Sequence, residues 1–338
     1  MGTFTASLAN HHNPQYVVET VEHIDETLSY DNFLIGDERL NHNTYALLAL
    51  AAEHTEEIGL GTGVTNPYTR HPAMTAAAIA TLDTLSDGRA KLGLGSGSSI
   101  GLDPLGYDQS DPIGTTRDAI KVIRRLLDGE DVSLDRPEFT VDDADLDIAP
   151  VSDVPVYVAG RGPHILGLGG FRGDGVLAGA GLASVDGMDY AREKISNGAE
   201  KAGRNLEEID IVCWAFLSVA ESRDVALDGV NPLVGRIVNK APLPALTAIG
   251  IDADLAKQVK AIDDVRALSD EELRTHIPRE VTEQFAIAGT PAECRDHVAR
   301  LRDAGVDHFG VLSFDNQEND ERESLSLFSE RVIDEIDA

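Results

Sequence analysis

Short apolar runs alternate with longer helical patterns almost from end to end of the chain. The runs that read as strands are Phe4–Ala9, Phe33–Gly36, Ile58–Thr65, Ala90–Gly95, Val154–Ala159, Gly175–Gly179, Ile209–Ala220 and His308–Ser313. Helical patterns cover Gln15–Leu28, Asn43–His54, Pro72–Leu85, Thr115–Leu127, Gly162–Gly170, Val185–Ala202, Pro291–Ala304 and Arg322–Ile336. Strand-then-helix alternation predicts a parallel sheet with helices on its faces. Eight such units are the number that closes a ring, which favours a (β/α)8 TIM barrel over an open doubly wound sheet. Two stretches break the rhythm. Residues 131–148 read as a hairpin-like insertion around an Asp-Arg-Pro turn, and residues 222–284 as a helical insertion broken by Pro232, Pro242, Pro244 and Pro278. The alternation resumes directly afterwards, so residues 1–338 are read as one domain.

Composition narrows the function classes. The 338 residues carry 28 Lys and Arg against 59 Asp and Glu, a net charge of −31. The acids run through the whole chain and form no tail block. Such a surface repels phosphate backbones, which argues against nucleic acid as a partner. It fits a soluble protein adapted to high salt, where screening removes most of the self-repulsion. The longest apolar run, Ala46–Ala52, is far short of the roughly 18 residues that span a membrane. No basic residue precedes Arg39, so no secretory leader is evident and the cytoplasm is the expected compartment. Cys213 and Cys294 lack metal-ligand spacing, and neither a disulfide framework nor a metal site is expected.

In a barrel of this kind the chemistry lies where strands end and loops begin. Ser7, Asn10, His11 and His12 are placed after the first strand, and Asp37, Glu38 and Arg39 after the second. The third is followed by Gly61–Pro72 and the fourth by Gly93-Leu-Gly95-Ser-Gly97-Ser98-Ser99. Gly93, Gly95 and Gly97 give G-x-G-x-G, not the dinucleotide spacing, and no helix opens there until near Thr115. At a barrel rim, such glycines can let backbone approach a flat ligand ring. After the fifth strand, Gly160-Arg161-Gly162-Pro163 pairs open amides at a helix start with one positive charge. That suits a phosphate and equally suits a structural turn. Adjacent His11 and His12 in a polar loop read as solvated side chains, and Ser96, Ser98 and Ser99 lack a nucleophile elbow.

Three segments carry a resemblance. Thr65-Asn-Pro-Tyr-x-Arg70-x-Pro72, Ala80-Thr-Leu-Asp83-x-Leu85-Ser-x-Gly88-Arg-Ala90 and Leu92-Gly93-x-Gly95-x-Gly97 resemble the bacterial-luciferase-like superfamily. Within it they look closest to the F420-dependent methylenetetrahydromethanopterin reductases. The resemblance implies a barrel holding coenzyme F420 at the strand C-terminal ends, with a non-prolyl cis peptide at Gly63–Val64 behind the deazaflavin. It also implies that Gly160, Arg161, Gly162 and Pro163 hold the phosphate, and that Asp37, Thr65, Asn66, Gly95 and Gly97 line the coenzyme. The reaction implied is hydride transfer from reduced F420 to the methylene bridge of a pterin, giving a methyl group. Together with the charge, this suggests a salt-adapted archaeal member of the family.

The chain departs from that pattern where the family carries acids. Ser7 replaces a glutamate, Ser98 replaces an aspartate, and Glu38 stands where the family has a histidine. Glu38 is therefore the expected proton donor, with Ser7 and Ser98 as the other candidate catalytic residues, and the pterin is expected in its folate or methanopterin form. Alternatives within the superfamily are an F420-dependent alcohol or sugar-phosphate dehydrogenase and an FMN-dependent monooxygenase. A non-catalytic barrel is the alternative from another class. The family also implies a homodimer or homotetramer.

Overall fold

The structure, a computed structural model, describes residues 2–336 except Arg39, Ala180 and Arg266. It begins β1 (Thr3–Leu8), α1 (Pro14–Thr27), β2 (Asn32–Ile35), α2 (Thr44–Glu53), β3 (Gly59–Thr65), α3 (Pro72–Leu85) and β4 (Ala90–Gly95). A short α4 (Ser99–Leu102) precedes α5 (Pro112–Leu127), β5 (Val132–Asp135) and β6 (Thr140–Ala144). Then come β7 (Val156–Gly160), α6 (Pro163–Arg172), β8 (Gly175–Gly179), α7 (Val185–Ala202) and β9 (Asp210–Val219). Helices α8 (Arg223–Lys240), α9 (Leu243–Ala248), α10 (Ala253–Lys260), α11 (Asp270–His276) and α12 (Arg279–Glu283) fill the long insertion. The chain ends with β10 (Ala286–Gly289), α13 (Pro291–Asp303), β11 (His308–Ser313) and α14 (Glu321–Phe328), which runs on through a π-helical turn to α15 (Asp334–Ile336).

Strand order is β11-β1-β2-β3-β4-β7-β8, and β9 pairs with both β8 and β11, so eight strands close a parallel barrel. Prolines mark the helix starts: Pro14, Pro72, Pro112, Pro163 and Pro291 open α1, α3, α5, α6 and α13. Each has a fixed φ suited to the first turn, where its missing N–H leaves no bond unmade. Asn13, Asn43 and Asp111 cap α1, α2 and α5 by accepting amide hydrogen bonds at Tyr16, at Tyr45 and Ala46, and at Gly114. Asp111 with Pro112 starts α5 earlier than the expected Thr115, and the turn of α4 lies before it.

The expected strands are present with ends shifted by at most two residues, and β10 is an addition. Its four residues run parallel to β9, from Ala286 opposite Phe216 to Gly289 opposite Val219. Four residues, two of them alanine, are too few to show an alternation.

The chain forms two compact units. Residues 7–177 with 194–210 make one, and residues 1–6, 178–193 and 211–338 the other. In the second, Phe4 stacks on Phe309 at 5.4 Å and meets Phe328 of α14 edge-on at 6.3 Å, so Phe4 faces the helix layer. Strand alternation then turns Thr5 inward, where its hydroxyl meets His308 Nε2 at 2.8 Å. By the same alternation Ser7, expected after the first strand, is buried within β1 and also faces the barrel interior.

In the first unit, β5 and β6 pair antiparallel where the hairpin-like insertion was expected. Arg136 in their turn bonds Asp111, Asp118 and Glu138, which fastens the hairpin to α5. Arg89 donates to the carbonyls of Ile58, Thr55 and Ser86 at 2.7–2.8 Å, so this part of the motif is structural. Asp83, wholly buried, accepts the amides of Val151 and Ser152 and the Ser152 hydroxyl, each at 2.8 Å. Among the described residues, no helix is long and apolar enough to cross a membrane.

Asp83→Asn places an amide nitrogen among three donors that need acceptors. The expected loss is about 2–3 kcal/mol, read from the urea midpoint; an unchanged midpoint would show that the 150–153 loop is held otherwise.

Candidate active site

The first unit carries the C-terminal ends of β1, β2, β3, β4 and β7, neighbours in that order around the barrel. At the end of β3 the Thr62 hydroxyl donates to Gly93 O at 2.7 Å and accepts the Gly93 N–H at 3.0 Å. Just beyond, the ladder with β4 slips: Thr62 faces Leu92, whereas Thr65 faces Leu94. The Gly63–Val64 peptide within the slip is cis. A β-carbon on Gly93 would lie 2.1 Å from Thr62 O and 2.9 Å from Val64 Cγ1, and one on Gly95 would lie 3.0 Å from Val64 Cγ2. The bare backbone of Gly93 and Gly95, expected to admit a ligand ring, is thus already required by the protein's own β3. Gly97 takes a left-handed φ of +74°.

The slip sets Thr65 against Asp37. Thr65 donates its hydroxyl to Asp37 Oδ2 at 2.7 Å, and Arg70 Nε donates to the same oxygen at 3.3 Å. The Asp37 N–H points back at Val64 O, 3.4 Å away. Asn66 is committed to its own turn: its Oδ1 accepts the amides of Tyr68 and Thr69, and its Nδ2 donates to the Thr69 hydroxyl, all at 3.0 Å. Arg70, which leaves this turn, lays its guanidinium 4.5 Å from the centre of the Tyr45 ring. Burial and then the charge of Asp37 push the Tyr45 phenol pKa well up, so it stays neutral.

Glu38 is exposed at the rim, and its carbonyl accepts from Asn10 Nδ2 at 3.2 Å. Asn10, only 2 % exposed, also donates to His42 O at 2.9 Å, while its own carbonyl accepts the His42 amide at 3.1 Å. His11, His12 and Tyr16 form a run of rings with centres 4.0 and 4.6 Å apart. Ser7 is fully buried on the interior face of β1, and its hydroxyl has no hydrogen-bond partner among the described residues. Ser98 is exposed, and its carbonyl starts α4 by accepting the amides of Gly101 and Leu102. Ser7 and Ser98 share no hydrogen bond, and Arg39 lies outside the described residues.

At the end of β7, a β-carbon on Gly160 would lie 2.2 Å from Ile165 Cγ2, so that glycine serves the packing of α6. Gly162 differs. Nothing lies within 4 Å of a β-carbon placed there, and no side chain caps the α6 N-terminus that it begins with Pro163. Arg161 beside it reaches solvent, and partial desolvation lowers its pKa. Open amides, open space and one cation are what a phosphate requires at a helix start.

A closed parallel barrel with this slip at the third strand places the chain in a known class. Residues 2–308 match the luciferase-like monooxygenase model, and the chain belongs to that family. Among its relatives, it is 35% identical over 285 residues to the 5,10-methylenetetrahydromethanopterin reductase of Methanolobus tindarius, covering 83% of this chain and 85% of that one. It is 32% identical over 323 residues to the enzyme of the same name from Archaeoglobus fulgidus, covering 95% and 96%. The structure of coenzyme F420 dependent tetrahydromethanopterin reductase from Methanopyrus kandleri superposes with a TM-score of 0.87 at 29% identity, over 99% of both chains.

Asp37, Val64 and Thr65 are legible in the sequence, whereas the roles of Asn10, Tyr45 and Arg70 are not. Arg70 stands within the motif that carries the resemblance, its only signal; Tyr45 directly precedes the apolar run Ala46–Ala52, which reads as core.

Adding a methyl group separates the two glycine roles. Gly93→Ala is expected to cost about 3 kcal/mol or more, because a carbonyl blocks the new carbon. Gly162→Ala should cost no more than about 1 kcal/mol. Thermal melts of the two variants test this, and similar midpoints would contradict the β3–β4 account.

Proposed function

We propose that this chain is an F420-dependent reductase that converts a 5,10-methylenetetrahydropterin, in its methanopterin or folate form, to the 5-methyl product. The observation that carries the proposal is the likeness to methylenetetrahydromethanopterin reductases over nearly the whole chain. Two features of the rim fit the coenzyme. The open, uncapped start of α6 with Arg161 suits its phosphate, and the unpartnered hydroxyl of Ser7 inside β1 suits a polar ring edge.

When bound, F420 supplies the hydride. Arg161, Gly162 and Pro163 would hold its phosphate, and Val64, Asp37, Thr65 and Gly97 would line its ring. Ser7 orients ligand from the barrel side, and Ser98 borders the substrate. Opening the methylene bridge leaves a pterin nitrogen that needs a proton. Our reading assigns this proton to Glu38, whose exposure at the rim and carbonyl bond from Asn10 support it.

The test is an anaerobic assay in multimolar KCl that follows oxidation of reduced F420 with each methylenetetrahydropterin in turn. Turnover with one form is expected, and Glu38→Gln should lower kcat about 100-fold while F420 still binds. F420 binding without turnover on either pterin would overturn the reductase assignment. An unchanged pH–rate profile in Glu38→Gln would overturn the role of Glu38 alone.

The oligomer is a second part of the proposal. Helices α2 and α3 lie side by side, and Leu50, Met74 and Leu85 on them are 42, 62 and 41 % exposed. No charged side chain interrupts residues 44–52 or 72–82. In a chain of net charge −31 this is a face on which a second copy meets no like charge. The wild type is expected to sediment as a dimer or tetramer, and Leu50→Asp with Met74→Asp as a monomer. A monomeric wild type would overturn it.

A further inference from the structure

We infer that Arg70 and Tyr45 are a positioning pair that fixes the Asp37 carboxylate as an acceptor for an N–H or O–H group of the bound coenzyme. The inference rests on the proposal that F420 occupies this rim. Asp37 Oδ2 is fully engaged, by the Thr65 hydroxyl at 2.7 Å and by Arg70 Nε at 3.3 Å. Oδ1 has no hydrogen bond among the described residues, and the side chain is 13 % exposed. One oxygen is held and the other is presented, which is the arrangement of a group kept for a ligand donor.

Arg70 cannot hold that geometry by one long bond. Its side chain is 24 % exposed, and its fixed points are the Asn66 turn behind it and the Tyr45 ring 4.5 Å beneath it. Tyr45 is itself anchored in the first turn of α2, where its amide donates to the Asn43 cap at 3.1 Å. A planar guanidinium over an aromatic face is a contact that lysine's compact ammonium reproduces poorly. The ring and not the hydroxyl is the working part of Tyr45.

The experiment titrates F420 into the full-length chain by fluorescence, with melting temperatures in parallel. The variants are Asp37→Asn, Arg70→Met, their double, Arg70→Lys, Tyr45→Phe and Tyr45→Leu. Asp37→Asn and Arg70→Met should each weaken F420 about tenfold, and the double should be within about twofold of either single, because Arg70 acts through Asp37. Tyr45→Phe should match the wild type. Tyr45→Leu should resemble Arg70→Met, and Arg70→Lys should fall between Arg70→Met and the wild type. If Asp37→Asn weakens binding while Arg70→Met and Tyr45→Leu do not, or if the double is additive, the pair does not position Asp37 and the inference is overturned. A wild type that binds no F420 overturns the coenzyme reading and the inference with it. Should Arg70→Met fail to fold, Tyr45→Leu against Tyr45→Phe decides the question.

Discussion

A single hydroxyl lets the third strand leave its ladder. Where β3 slips against β4, the main-chain N–H and C=O of Gly93 need partners, because an unpaired buried group is costly. Thr62 meets both with its side chain. Once those groups are paired, Val64 can lie across the bare backbone of Gly93 and Gly95, and Thr65 can reach Asp37. The recognised motifs therefore answer one another across the strand pair. Glycines on β4 are the complement of the displaced β3, and the Asn66 turn brings Arg70 back over the same place.

Much of the fold can be read from the one-dimensional pattern, because the punctuation is local. Proline opens five of the helices, and Asn or Asp caps precede two of these and α2, so the period and its boundaries agree. β10 escapes this logic. Its four residues are a strand only because β9 extends far enough to pair with them, and that is a property of the assembled sheet. The site divides in the same way. Asp37, Val64 and Thr65 are legible from motif resemblance, and the start of α6 from its Gly-Arg-Gly-Pro spelling. The Asn10 and Arg70 contacts join loops 28 and 33 positions apart, and no pattern within either loop records them. Likewise, the glycines invited a ligand explanation because a carbonyl approaching from a neighbouring strand leaves no mark in sequence.

Charge scarcity sharpens the picture. With 28 basic side chains against 59 acidic ones, most described arginines are spent on carbonyls and carboxylates that hold the frame, as Arg89 and Arg136 are. Arg70 and Arg161 are the two described arginines on the rim loops after β3 and β7. Screening by salt weakens their long-range pull on an anionic ligand but leaves short, partly buried contacts such as the Asp37–Arg70 pair largely intact.

The bonds of Asn10 have a mechanical consequence. The Asn10 side chain donates to the main chain of Glu38 and His42, and its main-chain carbonyl accepts the His42 amide, so one buried residue splices the loop after β1 to the loop after β2. Displacing either loop alone therefore breaks these bonds, whereas moving the two together keeps them.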